Sequence, residues 1–357
     1  MTKLFINILD WVQSWVGNYG WSVVVFTMII KLCLTPLDVK SRRSMRQMAM
    51  LNPKLEDLKK RYGNDQEKLN QKTQELYRKN KVNPLSGCLP LLIQLPILYI
   101  MFAAMRQVAA RMQIEIVYNW LENSGLIAED GTLLDVASTQ VQAVLESIRN
   151  GSVNLGDTQS WLWIKSVFQP DNFGRTVMPS LSELDTILKT FSNKITLDDG
   201  IMNVIKLYVD ADNGGAGAEL ARAVDLAFSD ACGYKSFNVF LNIGKITYPS
   251  NWSLYVNGYY ILPILAGVTQ VLSTKLQPST PSSGEETGTG KFMKWFFPIF
   301  SVWICISSNA AFAIYWVFVN VWSIISSYGV NFYLEKKDKA DSAKNGSDTT
   351  KKEALQP

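Results

Sequence analysis

The apolar residues of this chain are gathered into five blocks separated by polar sequence, and this limits its possible folds more than any other feature. The blocks begin at Trp21, Cys88, Tyr259, Phe292 and Ala310 and run for roughly 15 to 19 residues each. A soluble domain spreads its apolar residues at helix or strand periods around one core. Blocks this continuous are the mark of membrane spans. At 1.5 Å per residue, 15 to 17 residues reach only about 22–26 Å, short of a hydrocarbon core of about 30 Å, so spans this short imply local thinning of the bilayer. The expected class is an all-α integral membrane protein with five transmembrane helices.

Charge orients the spans. Residues 40–81 hold thirteen Lys/Arg against five Asp/Glu, and residues 107–257 hold ten against seventeen. The basic segment belongs on the cytoplasmic side. Five spans then put the N-terminus outside and the C-terminus, with six lysines from Lys336 onward, in the cytoplasm of a cell whose plasma membrane the chain crosses. The expected organisation is an interfacial N-terminal helix (1–20), spans at 21–37, 88–106, 258–275, 292–308 and 309–330, a cytoplasmic helical hairpin (38–87), an extracytoplasmic region (107–257), a cytoplasmic loop (276–291) and a disordered tail (331–357). Leu4, Ile8, Trp11 and Trp15 suit a helix lying in the membrane surface. Within the basic segment, Met45, Met48, Leu51, Leu55 and Leu58 recur at helical spacing, Tyr62–Asp65 breaks the pattern, and Leu69, Leu76 and Tyr77 resume it. Pro53 either kinks the first helix or starts it, with Asn52 as cap. A basic hairpin of this kind suits anionic lipid, RNA or acidic protein, or is simply a solvated surface. In the extracytoplasmic region, helical patterns fall at Val141–Ile148, Leu181–Phe191, Ile201–Val209 and Glu219–Phe228, and the fold is mostly helical. Residues 277–290 are rich in Pro, Ser, Thr and Gly and read as a flexible loop.

Several chemistries are excluded. The chain has no histidine, and Cys33, Cys88, Cys232 and Cys305 form no CxxC pattern. Zinc sites and histidine-based catalysis are therefore not expected, nor is any metal or cofactor. The stretch Gly284–Lys291 resembles a phosphate-binding loop only faintly, with the wrong spacing and no preceding strand.

The sharpest single residue is Lys31, the one charge in the first block. A lysine at the centre of a span costs about 2.5–3.5 kcal/mol on insertion scales. Thr27, Lys31 and Thr35 are four residues apart and lie along one drifting helix face. Gln94, Thr269, Gln270, Ser273 and Asn320 are polar residues of other blocks. No block contains a carboxylate. Lys31 either snorkels to the cytoplasmic surface or lines a polar cavity suited to receiving an anion.

These residues sit in a wider pattern. Ile29-Ile30-Lys31-Leu32, Pro36-Leu37, Leu51-Asn52-Pro53-Lys54, the string Lys81 to Pro96 (KVNPLSGCLPLLIQLP), Tyr260 to Leu265 (YILPIL) with Gly267-Val268-Thr269, and Tyr315-Trp316 with Asn320 resemble the YidC family of membrane protein insertases. The resemblance covers roughly 200 of 357 residues in the family's order. It implies a five-helix insertase core with a hydrophilic groove, a cytoplasmic hairpin and no enzymatic reaction. The groove residues it implies are Lys31, Thr27, Thr35, Gln94, Gln270, Tyr315, Trp316 and Asn320. The implied partners are nascent membrane protein clients such as the ATP synthase c subunit, the Sec translocon, the ribosome and membrane lipids. Three departures stand out. Lys31 replaces the family's usual arginine, Ser307-Ser308-Asn309-Ala310 replaces a Pro-Ser-Gly turn, and much of residues 113–255 is an insertion. Trp161–Asp171 resembles the family's own remnant within that insertion. A small-molecule or ion transporter, or a factor that escorts subunits laterally, are the rival readings; the chain shows no internal repeat of the transporter kind.

Overall fold

A computed structural model of the chain describes residues 2–80, 82, 89–209, 216–239, 244–252, 255–276 and 288–353. Lys81 and Asn83–Cys88 of the motif string and most of the loop at 277–290 therefore lie outside the described residues. Twelve helices and one hairpin are described: α1 (Thr2–Val16), α2 (Tyr19–Ala49), α3 (Asn52–Tyr62), α4 (Gln66–Lys79), α5 (Leu89–Asn123), α6 (Thr139–Arg149), α7 (Leu181–Phe191), α8 (Asp199–Val209), α9 (Ala216–Cys232), β1 (Tyr234–Val239), β2 (Gly244–Pro249), α10 (Ile261–Leu276), α11 (Gly288–Ser307) and α12 (Ala310–Glu353). By length and composition, Tyr19–Ala49 and Ala310–Tyr333 can cross a membrane, and Ile261–Leu276 and Trp295–Ser307 are shorter apolar helices.

The chain divides into two compact units. The first comprises Met1–Phe26, Leu98–Ala266 and Ser301–Trp316; the second comprises Thr27–Ile97, Gly267–Phe300 and Val317–Pro357.

In the first unit, one segment, residues 157–171, supplies partners to the starts of three helices. A helix leaves its first N–H groups without intrahelical acceptors. At α2, the Tyr19 N–H donates to Gln159 Oε1 at 3.1 Å, and Asn18 donates to the Ser160 carbonyl while its own Oδ1 accepts from Trp21. At α12, the Ala310 and Ala311 N–H groups donate to the carbonyls of Gln169 and Val167 at 2.9 and 2.8 Å. At α10, Asp171, only 1% exposed, accepts from the Tyr259 N–H at 2.8 Å and the Leu262 N–H at 2.6 Å. The replaced Pro-Ser-Gly turn finds its geometry here: Asn309 caps α12 by accepting from the Phe312 N–H at 2.9 Å, and its amide donates to the Met105 carbonyl.

The polar region forms helices where the apolar periodicity falls. Ser180 and Glu183 make a reciprocal capping box at α7, and Ser138 caps α6. Helix α9 packs on both α6 and α8. At Gly217 a side chain would meet the Leu207 carbonyl, so the close approach of α8 and α9 demands glycine there. The region is mostly helical, as its pattern led one to expect, and carries one antiparallel strand pair, β1–β2, with Tyr234 opposite Pro249.

In the second unit, α2 continues past the end of the first apolar block without a break, and Pro36 is accommodated inside it. Helix α3 begins at Asn52 with Pro53 in its first turn, where the missing N–H costs nothing. Its cap residue is Leu51 and makes no side-chain bond, so Asn52 is not the cap. Asp65 does cap α4, accepting from the Lys68 N–H at 3.0 Å. Met48 and Leu51 pack with Val82, Leu76 and Tyr77. Polar composition argued for an unstructured tail after residue 330; the helix instead continues to Glu353.

Candidate functional site

The second unit contains a recess of about 460 Å³ lined by Lys31, Leu34, Leu37, Asp38, Gln94, Trp322 and Ser323. Lys31 and Gln94, from α2 and α5, meet there: the Lys31 ammonium donates to Gln94 Oε1 at 2.8 Å. Among the described residues, no carboxylate oxygen comes within ion-pair distance of that ammonium. Its hydrogen-bond partner is a neutral amide, which orients the charge without cancelling it.

Asp38 is the residue that hydropathy missed. It lies one position beyond the apolar block, but α2 is continuous, so it falls seven residues from Lys31, two turns along the same face. Its Oδ2 accepts from Arg42 Nε at 3.0 Å and from Ser326 Oγ at 2.8 Å. Arg42 is buried, and its guanidinium also donates to Ser327 Oγ and to the Ser323 carbonyl and hydroxyl of α12. This network ties the polar extension of α2 to α12 and occupies the one carboxylate that, among the described residues, lines the recess. Breaking a buried pair from one side strands the other charge. Asp38→Ala leaves the Arg42 guanidinium buried without its carboxylate and is expected to lower stability by about 3 kcal/mol. Thermal unfolding in detergent, together with faster amide exchange over residues 38–49, is the check.

The other residues implied by the family pattern are placed as follows. Thr27 is buried in the second unit. Thr35 turns its hydroxyl back onto the Lys31 carbonyl at 2.7 Å. Asn320, 6% exposed, donates to Thr269 Oγ1 at 3.4 Å, and Gln270 pairs with Thr274. Tyr315 and Trp316 belong to the first unit and are buried, with Trp316 Nε1 donating to Ser301 Oγ at 3.0 Å. Trp322 and Ser323 had no distinguishing signal in the sequence beyond their place on α12 one turn past Asn320.

Comparison with known proteins gives the arrangement a family. The model of the family described as 60Kd inner membrane protein matches residues 11–209 and 226–337. A membrane protein insertase YidC of Fusobacterium nucleatum is 50% identical over 99 residues, 28% of this chain and 48% of that relative. That of Anaeromyxobacter sp. (strain Fw109-5) is 44% identical over 104 residues, 29% of this chain and 19% of the relative. That of Thioalkalivibrio sulfidiphilus is 45% identical over 97 residues, 27% and 17% respectively. The matched stretches thus span less than half the length of each of these relatives. With the family model matched over most of its length, this chain is a membrane protein that belongs to the 60Kd inner membrane protein family, the family of the YidC insertases.

Proposed function

We propose that this chain is a membrane protein insertase whose recess at Lys31 receives the polar or acidic extracytoplasmic segment of a client while the client's apolar helix enters the bilayer. The observation that carries this reading is the Lys31 ammonium, held by an amide rather than a carboxylate, in a recess where, among the described residues, the one acidic side chain is committed to Arg42 and Ser326. Family membership supports the same reading.

In this reading the five apolar blocks are spans, the N-terminus lies outside, and the basic hairpin α3–α4 faces the cytoplasm of a plasma membrane. Gln94 positions the ammonium, and Thr27, Thr35, Gln270 and Asn320 supply further polar groups. Tyr315 and Trp316 serve the client's apolar helix; since both are buried, client entry must uncover them. Clients of the ATP synthase c-subunit kind, the Sec translocon, the ribosome and lipid head groups at the hairpin are its partners. No covalent chemistry takes place: the energy comes from burying the client's apolar helix, and the lysine lowers the barrier for its charged tail.

Reconstitution into liposomes tests this against its rivals. The expected result is a client whose tail becomes protected from external protease. Solute flux without client insertion favours a transporter, and neither result favours a factor that only escorts subunits.

A further inference from the structure

A second recess lies wholly within the first unit, apart from Lys31. It is an open concavity lined by Lys3, Asn7 and Asp10 of α1, Gln107 and Arg111 of α5, and Lys194 with Thr196 after α7. Three cations face one carboxylate, a net of +2, and two of the cations, Arg111 and Lys194, come from a region (107–257) whose sequence is net acidic. Asp10 is spent on Arg111, at 2.9 and 3.2 Å, and Arg111 also donates to the Tyr19 hydroxyl. Lys3 and Lys194 are exposed, and among the described residues neither has a carboxylate within ion-pair distance. Lys194 instead rests over the Phe191 ring, 5.5 Å from its centroid, with Arg106 at 5.4 Å from the same ring. Asn7, Gln107 and Thr196 add neutral donors. Cations with amide and hydroxyl donors in one concavity match a phosphate monoanion.

Helix α1 says where that phosphate comes from. At about 100° per residue its side chains sort into three faces roughly a third of a turn apart. Leu9 and Val12 are buried against the protein, and Lys3, Asn7 and Asp10 line the recess. The third face is Leu4, Trp11 and Trp15, which are 58%, 59% and 78% exposed. Such a face is stable when it is sunk into the boundary of the acyl chains, with tryptophan at head-group depth. The recess then opens about a third of a turn away, level with the phosphates.

We propose that this recess is a binding site for the head group of an anionic phospholipid, with Lys3 and Lys194 as the cations that hold its phosphate. The lipid ties α1, α5 and the segment after α7 to the membrane surface.

The test uses the full chain, purified with equal amounts of phosphatidylglycerol and phosphatidylcholine and read by native mass spectrometry after delipidation. The wild type is expected to retain phosphatidylglycerol preferentially. Each lysine beside an anionic surface is worth about fivefold in binding, so the double variant Lys3→Gln/Lys194→Gln is expected to retain about 30-fold less. Lys206→Gln, at an exposed position of α8 outside the recess, leaves retention unchanged, and Lys3→Arg/Lys194→Arg keeps it. Both lysines are exposed, so unchanged helical content and melting are expected for every variant. Equal retention by the Gln pair, or loss in the Arg pair as large as in the Gln pair, overturns the proposal. So does displacement of the lipid by excess inorganic phosphate, which marks a site for soluble anions, or by a soluble acidic peptide, which marks a site for a client segment.

Discussion

Lys31→Ala is expected to reduce insertion of a client with an acidic tail by at least about tenfold, while Lys31→Arg keeps most of the activity. A carboxylate 4 Å from the ammonium gains about 4 kcal/mol at an effective dielectric near 20. Drawing both charges out of water takes back part of that gain. A residue of about 1.4 kcal/mol on the barrier is already tenfold in rate. The structure sharpens this expectation in two ways. Gln94 Oε1 holds the ammonium at 2.8 Å, so the charge is placed before the client arrives. Asp38 lines the same recess, but Arg42 and Ser326 engage its carboxylate, so an incoming acid does not have to displace an internal ion pair. Arginine keeps the charge but adds a planar fork that a single amide does not fill, which predicts that most but not all of the activity is kept. The measurement is the fraction of client protected from protease in proteoliposomes, compared between clients with acidic and with neutral tails. Normal insertion of the acidic client by Lys31→Ala sinks the charge model. An equal loss for both clients points to damaged structure rather than a lost charge.

Lys31 and Gln94 were legible in the sequence because polar side chains are conspicuous, and costly, in apolar runs. Asp38 and Arg42 were not. A hydropathy window ends at Leu37, where the side chains turn polar, but backbone hydrogen bonding carries α2 on to Ala49, past Pro36. Composition therefore cut a helix that the backbone keeps whole, and two residues of the recess network fell outside the apparent span. A similar cut falls at the other end of the chain, where polar composition suggested a disordered tail and α12 runs on to Glu353. The β1–β2 hairpin was hidden for a different reason. Phe237, Val239, Ile246 and Tyr248 do alternate with polar residues, but the connecting Phe240-Leu241-Asn242-Ile243 lacks the Asn-Gly or Asp-Gly chemistry that marks a tight turn. Tyr315 and Trp316 carried a family pattern that says nothing of exposure, and packing buries both. The helices of the polar region were readable because their apolar residues keep the helical period, and the caps at Ser138 and Ser180 fall where that period begins.

Asp171→Ala is expected to cost about 3–5 kcal/mol, because it strands several donors at once. The carboxylate accepts from the Tyr259 and Leu262 N–H groups at the start of α10 and, at 3.4 Å, from Trp163 Nε1. A charged acceptor facing such donors contributes about 1.5–3 kcal/mol per bond, and a buried N–H left unpaired costs about 1–3 kcal/mol. The negative charge also faces the positive end of the α10 dipole. Asp171→Asn keeps the shape but turns one acceptor into a donor aimed at an N–H, so it is expected to lose a substantial part of the same amount. Gly258 explains why the carboxylate cannot be displaced. A methyl there would overlap Asp171 Oδ1 and stand 2.9 Å from the Asp171 Cα, closer than side-chain carbons approach backbone. Gly258→Ala is therefore expected to destabilise by a comparable amount, since the backbone of residues 157–171 is pinned at the starts of α2 and α12 as well, through the carbonyls of Ser160, Val167 and Gln169. The two substitutions share one cause, so they should not add. Once Asp171→Ala has removed the carboxylate, Gly258→Ala loses its worst overlap and is expected to cost much less than it does alone. Melting temperatures of the two single variants and the double variant in detergent close the cycle. Strict additivity would show that Gly258 and Asp171 act independently, and that the start of α10 is held by something other than this carboxylate. These variants also separate stability from function: they should lower the yield of folded chain while the molecules that remain folded keep Lys31 and its recess, whereas Lys31→Ala should leave melting nearly unchanged and remove insertion of the acidic client.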